Sequence, residues 1–276
     1  MRVPLYEGAE NRPYYKFLVD LDPLPQELLD YIKNCKGKAE DGLSFVDRAK
    51  VQQRKRLPEK TGFYHLKEGG LHIASNISIP DITPEMLIWY SSIYPFDQLL
   101  YAIWDPEDHY DAQPDEVASQ RLFDDSVPPI EKLWGVTHTG TEAMGGPPGP
   151  GELHFMNPAD VGFDGSIIGT EECPYLYCAN TVFAVGPIKI PIFILETYNY
   201  DEQGVPELRF RAWVGYKLQN GKGKCVLPKV LKVPDAAPLG IIEHNYREFF
   251  HLNKVLPGLY AERDIIEAEV RKMWKK

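Results

Sequence analysis

Residues 135–218 restrict the fold more than any other part of the chain. They contain short runs rich in β-branched and aromatic residues: SIIGT, YLYCANTVFAVG, KIPIFILETYNY and ELRFRAWVGYKL. Glycine, proline, aspartate and asparagine separate these runs, a pattern typical of antiparallel strands joined by hairpins. The letters DEQG between Tyr200 and Val205 predict one such hairpin turn. The segment therefore predicts a curved antiparallel sheet.

Helical patterns flank the predicted sheet on both sides. A short amphipathic helix is predicted over residues 24–35. A second helix is predicted to begin at Thr83 and Pro84, a cap residue followed by a first-turn proline, with an interruption at Pro95. After the sheet, the run LGIIEHNYREFFHLNKVL predicts a long helix that ends before Pro257, and a last helix follows. This order predicts an α+β fold in which the sheet grips the long helix.

Charge and hydropathy exclude several classes of partner. The formal charge is −10 at pH 7, so no nucleic-acid partner is expected, because affinity for phosphate backbones comes mainly from clustered Lys and Arg. No run of ~18 apolar residues and no apolar signal region are present, which predicts a soluble, unexported protein without a membrane partner. The cysteines lack a paired C-x-x-C spacing, which favours reduced thiols in a cytoplasmic protein. They are Cys35, Cys173, Cys178 and Cys225.

The long predicted helix carries a pair of residues that could bind a metal. In IIEHNYREFF, His244 and Glu248 are four residues apart, so a helix places both side chains on one face. An imidazole nitrogen and a carboxylate oxygen could then meet one cation, and zinc accepts this mixture of ligands. Apolar neighbours such as Ile242 and Phe249 indicate a partly buried helix, where an unpaired carboxylate is unfavourable. An exposed i,i+4 pair has the same spacing, so the motif alone leaves both interpretations open.

A metal site needs further ligands, and the chain has seven histidines to supply them. In the segment WDPEDHYDAQPDE, His109 stands among Asp105, Asp108 and Asp111. Carboxylates near a ligand histidine can orient its second ring nitrogen. The segment therefore predicts a ligand at His109 positioned by aspartates, although a solvated acidic loop has the same composition.

Four runs together resemble a known family: HNYREFFHLNKVLPGLYAE, DHYDAQ, THTGTEAMGG and NPADVGFDGS. Over about residues 101–262 the chain is similar to the 2,4-diacetylphloroglucinol hydrolases and the related phloretin hydrolases, most clearly in the His-x-x-x-Glu helix. The resemblance implies a helix-grip (Bet v 1-like) antiparallel sheet around the long C-terminal helix. It also implies a small, mainly helical region at residues 1–75 and a catalytic domain at residues 76–276.

The resemblance implies a zinc site made by two histidines and two glutamates. His244 and Glu248 match the second pair of the family, and His109 matches the first histidine. The remaining glutamate falls best on Glu142 in TEAMGG. Two other residues stay open as alternative ligands: Glu152 and His138.

Catalytic and substrate contacts are also implied by the resemblance. Family tyrosines hold phenolic hydroxyls, and Tyr101 lies where one of them belongs, so Tyr101 and Glu142 are the implied catalytic residues, Glu142 as a proton carrier. Arg211 and Trp213 in RFRAWVG resemble the family's sheet framework and are predicted to bind substrate, although Arg211 could instead be a structural ion-pair partner. The family also carries a histidine on its middle strands, and this chain has none there. Its contact is expected from one of three residues: Glu196, Tyr198 or Arg209.

The activity implied is zinc-dependent hydrolysis of the carbon–carbon bond between an acyl group and a phloroglucinol-type ring. The substrate would be a small phenolic ketone such as phloretin or an acylphloroglucinol, and the protein a homodimer. Two other functions stay open. A helix-grip cavity can carry phenolic or hydrophobic ligands without catalysis, and the same activated water would serve a metal-dependent esterase.

Overall fold

The computed structural model describes residues 1–53, 57, 59–185, 188–219, 222–228 and 233–274. The α-helices in these ranges are α1 (Gln26–Lys33), α2 (Pro84–Ile93), α3 (Gln98–Trp104), α4 (Glu116–Phe123), α5 (Ala236–Ala261) and α6 (Arg263–Trp274). The strands are β1 (Gly62–His65), β2 (Leu71–Ser78), β3 (His109–Pro114), β4 (Thr137–Glu142), β5 (Gly149–Met156), β6 (Leu176–Val185), β7 (Ile188–Tyr200), β8 (Pro206–Val214), β9 (Tyr216–Gln219) and β10 (Lys222–Cys225). No helix in the described part of the chain is long and apolar enough to cross a membrane.

Eight of the strands form one sheet in the order β1-β2-β8-β7-β6-β5-β4-β3. Every neighbouring pair in it is antiparallel. The predicted hairpin joins β7 to β8: the Asp201 amide donates to the carbonyl oxygen of Val205 at 2.9 Å. Gly204 in this turn has a φ of 80°, a conformation that glycine adopts without steric penalty. The predicted antiparallel sheet is confirmed.

The two faces of the sheet carry different clusters, because successive side chains of a strand point to opposite sides. On β8, Phe210 belongs to the main core, which also contains Ile242 of α5. Trp213, an odd-numbered residue of the same strand, points to the opposite side and packs with Phe45 and Phe193 in a second cluster. We call the side toward α5 the inner face and the side covered by Phe45 the outer face. Only the inner face can contribute side chains to a site that includes α5.

The long helix α5 lies against the inner face, which confirms the predicted α+β fold with an antiparallel sheet and a long C-terminal helix. The predicted end of this helix before Pro257 is wrong, since α5 continues through Pro257 to Ala261. A proline inside a helix costs about 3 kcal/mol. Leu256 and Leu259 are both fully buried in the core, so their packing offsets that cost.

The N-terminal third of the chain combines helix and strand. Helix α2 begins as predicted, with the Thr83 hydroxyl accepting a hydrogen bond from the Met86 amide at 3.4 Å, and it ends at Ile93 before Pro95. The boundary predicted between residues 75 and 76 falls inside β2, which pairs with β8 along its whole length. Residues 62–75 therefore lie in β1, β2 and their turn, because their apolar side chains complete the inner core.

Candidate metal centre

Four of the predicted ligands come together where one edge of the sheet meets α5. His109 is the first residue of β3 and Glu142 the last of β4, and the two are directly paired across the strands. His244 and Glu248 lie one turn apart on α5. Antiparallel pairing of β3 with β4 therefore brings two ligands to one point, and the helical repeat brings the other two.

The nitrogen and oxygen atoms of these four residues converge. His109 Nε2 lies 3.3 Å from Glu248 Oε2 and 3.8 Å from Glu142 Oε2. His244 Nε2 lies 3.5 Å from Glu248 Oε2 and 4.0 Å from Glu142 Oε2. His109, His244 and Glu248 are buried, whereas the side chain of Glu142 is 31% exposed. The cluster is therefore accessible mainly from the side of Glu142.

Hydrogen bonds fix the ring orientation of both histidines. His109 Nδ1 donates to the carbonyl oxygen of Tyr101 at 3.2 Å, and His244 Nδ1 donates to Asp108 Oδ2 at 3.1 Å. Because these oxygens only accept, the Nδ1 atoms carry the protons and the Nε2 lone pairs face the two glutamates. The aspartate segment thus orients His244 and not His109, contrary to the sequence prediction, because the chain turns His109 back toward α3.

The arrangement fits a zinc ion. His109 Nε2 is buried and has no hydrogen-bond partner among the described residues. Burial, together with the nearby His244, lowers the pKa of His109 to about 3, so the imidazole is neutral, which is the form that binds metals. Burial raises the pKa of Glu248 well above its usual range, and a cation would relieve that unfavourable burial. Two imidazole nitrogens and two carboxylate oxygens are a ligand set that zinc accepts.

Asp105, Asp108 and His244 also lie close enough to hold a cation, but a guanidinium already balances these carboxylates. Arg247 Nε lies 3.2 Å from Asp105 Oδ2, and the same guanidinium pairs with Asp108. Asp105, Asp108 and Arg247 therefore hold the Nδ1 side of the His244 ring. Sequence reasoning missed Arg247; its position one helical turn after His244 is the signal that could have found it.

Tyr101 lies against two of the candidate ligands. Its phenol donates a hydrogen bond to Glu142 Oε2 at 3.0 Å, and its ring is stacked on His109. Burial, followed by the charge of Glu142, raises the pKa of Tyr101 well above its usual value. The phenol therefore keeps its proton and can share it with the same carboxylate oxygen that faces both histidines.

Comparison with known proteins identifies the family of the chain. The sequence matches the family described as DAPG hydrolase PhiG domain over residues 43–261. The chain belongs to this hydrolase family. The match confirms the predicted family and the predicted enzyme class, and it includes all four residues of the centre.

Individual members of the DAPG hydrolase family match this chain over most of its length. A phloretin hydrolase from Eubacterium ramulus is 33% identical over 269 residues, which are 95% of this chain and 94% of that protein. A 2,4-diacetylphloroglucinol hydrolase from Pseudomonas sp is 24% identical over 273 residues, which are 92% of this chain and 90% of that protein. The solved structure of Ara h 8.0201 is similar with a TM-score of 0.38 and 9% identity, covering 67% of this chain and 96% of that chain.

The two alternative ligands lie outside the centre of this DAPG hydrolase family member. Glu152 on β5 has a side chain that is 64% exposed and lies 3.2 Å from His154 Nε2. His138 is on the same face of β4 as Glu142, but its Nδ1 lies 3.1 Å from the Tyr94 hydroxyl. Of the three residues considered for the remaining ligand position, Glu142 is the one near the other three ligands.

Arg211 and Trp213, predicted to bind substrate, are not brought to the centre. Both side chains point to the outer face of β8. Arg211 Nε donates to Glu59 Oε1 at 2.9 Å, and Trp213 Nε1 donates to the carbonyl oxygen of Leu43 at 2.8 Å. The family resemblance placed them at the site without showing which face of β8 points toward α5, and Arg211 is instead paired with Glu59, the alternative that the sequence left open.

Of the three residues proposed to replace the middle-strand histidine, Glu196 and Tyr198 lie on the inner face of β7. Arg209 lies on the outer face and donates to Glu207 Oε1 at 2.9 Å. The Tyr198 phenol already donates a hydrogen bond to the carbonyl oxygen of Ile82 at 3.1 Å. Burial is the main cause of the raised pKa of Glu248, and the charge of Glu196 adds to it.

Proposed function

We propose that the chain hydrolyses the carbon–carbon bond between an acyl group and a phloroglucinol-type ring. The convergence of His109, Glu142, His244 and Glu248 carries this proposal, with Zn²⁺ as the ion that they would bind. Phloretin hydrolase and 2,4-diacetylphloroglucinol hydrolase are named for substrates that carry such a bond, and both are relatives over most of the chain.

The chemistry restricts what the residues must do. A ring carbanion is a poor leaving group, so the ring must first take a proton at the carbon that bears the acyl group and react as its keto tautomer. Water then adds to the acyl carbon, the carbon–carbon bond breaks, and its electron pair restores the aromatic ring while the ring ketone oxygen becomes a phenolate that takes up a proton. The products are the free phenolic ring and a carboxylic acid. Zinc, when bound, would lower the pKa of a water molecule and polarise the acyl carbonyl.

Tyr101 and Glu142 are the residues proposed to move protons. Glu142 is the most exposed of the four proposed ligands, so its carboxylate is the one that a substrate or water can reach. The Tyr101 phenol already donates to Glu142 Oε2, and a positioned acid–base pair of this kind contributes about 10²- to 10⁴-fold to a rate. Tyr101 also orients the phenolic ring in this proposal.

Elemental analysis of the untagged protein, combined with phloretin cleavage in the presence and absence of a chelator, tests the proposal. The expected result is about one zinc ion per chain, as for a single catalytic site, and cleavage that stops when the chelator removes it. Metal-free protein that binds phloretin without cleaving it would identify a carrier. Cleavage of simple esters but not of phloretin would identify a metal-dependent esterase.

The proposal includes a cytoplasmic homodimer. The described cysteines are all free thiols, which supports a reducing compartment. Light scattering during size-exclusion chromatography measures the mass in solution, and a monomeric mass would remove the homodimer from the proposal.

A further inference from the structure

Strand β5 carries two glycines directly beside the candidate metal centre. Gly149 is paired with Glu142 of β4, and Gly151 is paired with Gly140. Residues paired directly across antiparallel strands share one face of the sheet, with Cβ positions about 4.5 to 5.5 Å apart. Because Glu142 points to the centre, Gly149 and Gly151 lie on the inner face. We call these two residues the glycine row, which begins beside Glu142 and leads away from it along β5.

The folded chain itself does not require glycine at either position of the row. Neither Gly149 nor Gly151 has a positive φ, and a Cβ atom on either would meet no described atom within 4 Å beyond its chain neighbours. Gly140 differs, because a Cβ there would lie 3.2 Å from the carbonyl oxygen of Asp111. Glycine inside a strand weakens it and often marks a place where a ligand approaches closely. The row therefore leaves space for a molecule that binds at the centre.

Two tyrosines form one side of this space. A Cβ on Gly140 would lie 3.6 Å from the Tyr101 hydroxyl, so Tyr101 covers the inner face of β4 next to the row. The ring of Tyr94 is stacked on that of Tyr101, with 5.3 Å between centroids. These rings cover β4, whereas β5 is left open at the glycines. The result is a groove with an aromatic side and a floor without side chains.

A buried nitrogen without a partner lies at the far end of the row. His138 is 2% exposed and is paired with Leu153, the residue that follows the row on the inner face. Its Nδ1 lies 3.1 Å from the Tyr94 hydroxyl, but its Nε2 has no hydrogen-bond partner among the described residues. Buried polar atoms in proteins nearly always have a partner. Independently of the glycines, this nitrogen indicates that a bound molecule completes this part of the inner face.

The sheet also opens beside the row. Strands β5 and β6 are paired at three positions, from His154 with Asn180 to Met156 with Cys178, and no described pair continues them toward the glycines. On its other edge, β5 stays paired with β4 as far as Gly149. The groove is therefore not closed on the side of β6, and a long group can extend through it.

We propose that the glycine row holds the acyl group of the substrate and allows the enzyme to accept acyl groups much longer than acetyl. This inference rests on the proposed function, which places the acyl carbonyl at the centre. The row offers no side-chain donor or acceptor, so it suits an apolar chain better than a ring with several hydroxyls, whose polar groups need partners. Gly149 and Gly151 then determine specificity for the length of the acyl group, with the arylpropanoyl group of phloretin as one that fits.

The variant Gly151→Val fills the row at a position that is not a candidate ligand. The specificity ratio is kcat/KM for phloretin divided by kcat/KM for monoacetylphloroglucinol. We expect this ratio to fall at least about tenfold in Gly151→Val, as when a pocket changes by a few carbon atoms. Glu152→Val places the same side chain on the outer face of β5 and is the matched control, with the wild-type ratio. Zinc content should be equal in all three proteins.

The melting temperature separates recognition from a packing role. Since a Cβ at Gly151 meets no described atom and valine favours strands, Gly151→Val should melt at or above the wild-type temperature. Failure to fold, or a lower melting temperature, would show that the free protein needs this glycine and would overturn the inference. An unchanged specificity ratio, or an equal loss with both substrates, would overturn it as well.

Calorimetric binding of both compounds to the zinc-loaded proteins distinguishes this inference from the proposed function. Wild-type protein that binds both compounds but cleaves neither would contradict the proposed function. A selective loss of phloretin affinity in Gly151→Val would then still support the row, and equal affinities would overturn it. Wild-type protein that cleaves phloretin, with an unchanged ratio in Gly151→Val, would overturn this inference alone. Wild-type protein that binds neither compound would overturn both.

Discussion

The ring of Tyr101 lies parallel to that of His109, with 3.9 Å between centroids and 6° between planes. The backbone carbonyl of Tyr101 also accepts the Nδ1 proton of the same histidine. One residue of α3 thus orients a candidate ligand twice, through its ring and through its main chain. Its phenol is left to act on Glu142. Orientation of His109 and proton transfer at Tyr101 can therefore be separated by mutation.

Replacing Tyr101 with Phe removes the hydrogen bond to Glu142 and keeps both contacts with His109. We expect zinc content to stay at the wild-type level while kcat for phloretin falls about 100-fold, within the range for loss of a positioned acid–base group. Tyr64→Phe, which removes a phenol bonded to the carbonyl oxygen of Lys60, is the control and should keep wild-type activity. Loss of zinc from Tyr101→Phe would show that the phenol holds the centre together.

Replacing His244 with Ala removes one of the two nitrogen ligands and leaves Glu248 buried with fewer partners. Metal retention and phloretin cleavage should both be lost. Glu152→Gln changes an exposed carboxylate that the sequence left open as a ligand and should keep both. Elemental analysis and cleavage assays on the same preparations measure the two effects. Zinc and activity retained in His244→Ala would refute this ligand assignment.

Replacing Asp108 with Asn tests the hydrogen bond that orients the His244 ring through its Nδ1 atom. The amide can still contact Nδ1, but it loses the charge that pairs with Arg247 and favours the metal-binding ring orientation. Zinc affinity should fall about 10- to 100-fold, as is typical when the partner of a ligand histidine is changed. Competition with a fluorescent zinc chelator measures this affinity. Asp111→Asn in the same segment should bind zinc like wild type; equal weakening would indicate a general effect of charge.

The sequence predicted the parts of the site that depend on local geometry. His244 and Glu248 are recognisable because a helix repeats every 3.6 residues. His109 and Glu142, in contrast, meet only through the register of β3 with β4, which local patterns do not specify. The family resemblance supplied that pair.

The incorrect substrate contacts have a physical explanation in β8. Its last eight residues are all buried, since α5 covers one face and the segment with Phe45 covers the other. Glu207, Arg209 and Arg211 alternate with Leu208, Phe210 and Ala212, but because both faces of the strand are buried, this alternation does not by itself reveal which set of side chains faces the site. The family resemblance therefore placed Arg211 and Trp213 on the wrong face. The same uncertainty left Glu196 and Arg209 equivalent until the direction of each side chain was known.

Glu196 makes a prediction about stability that needs no substrate. In the unfolded chain its carboxyl group has a pKa of 4.5, whereas in the folded protein burial raises this pKa to about 8. Between these values the folded state holds more protons, so its free energy of unfolding falls as pH rises. Glu196→Gln lacks this loss. Its melting temperature relative to wild type should therefore rise from pH 5 to pH 8 and level off above. Other titrating groups cancel in this difference, so a constant difference across the range would show that Glu196 is ionised in the folded protein.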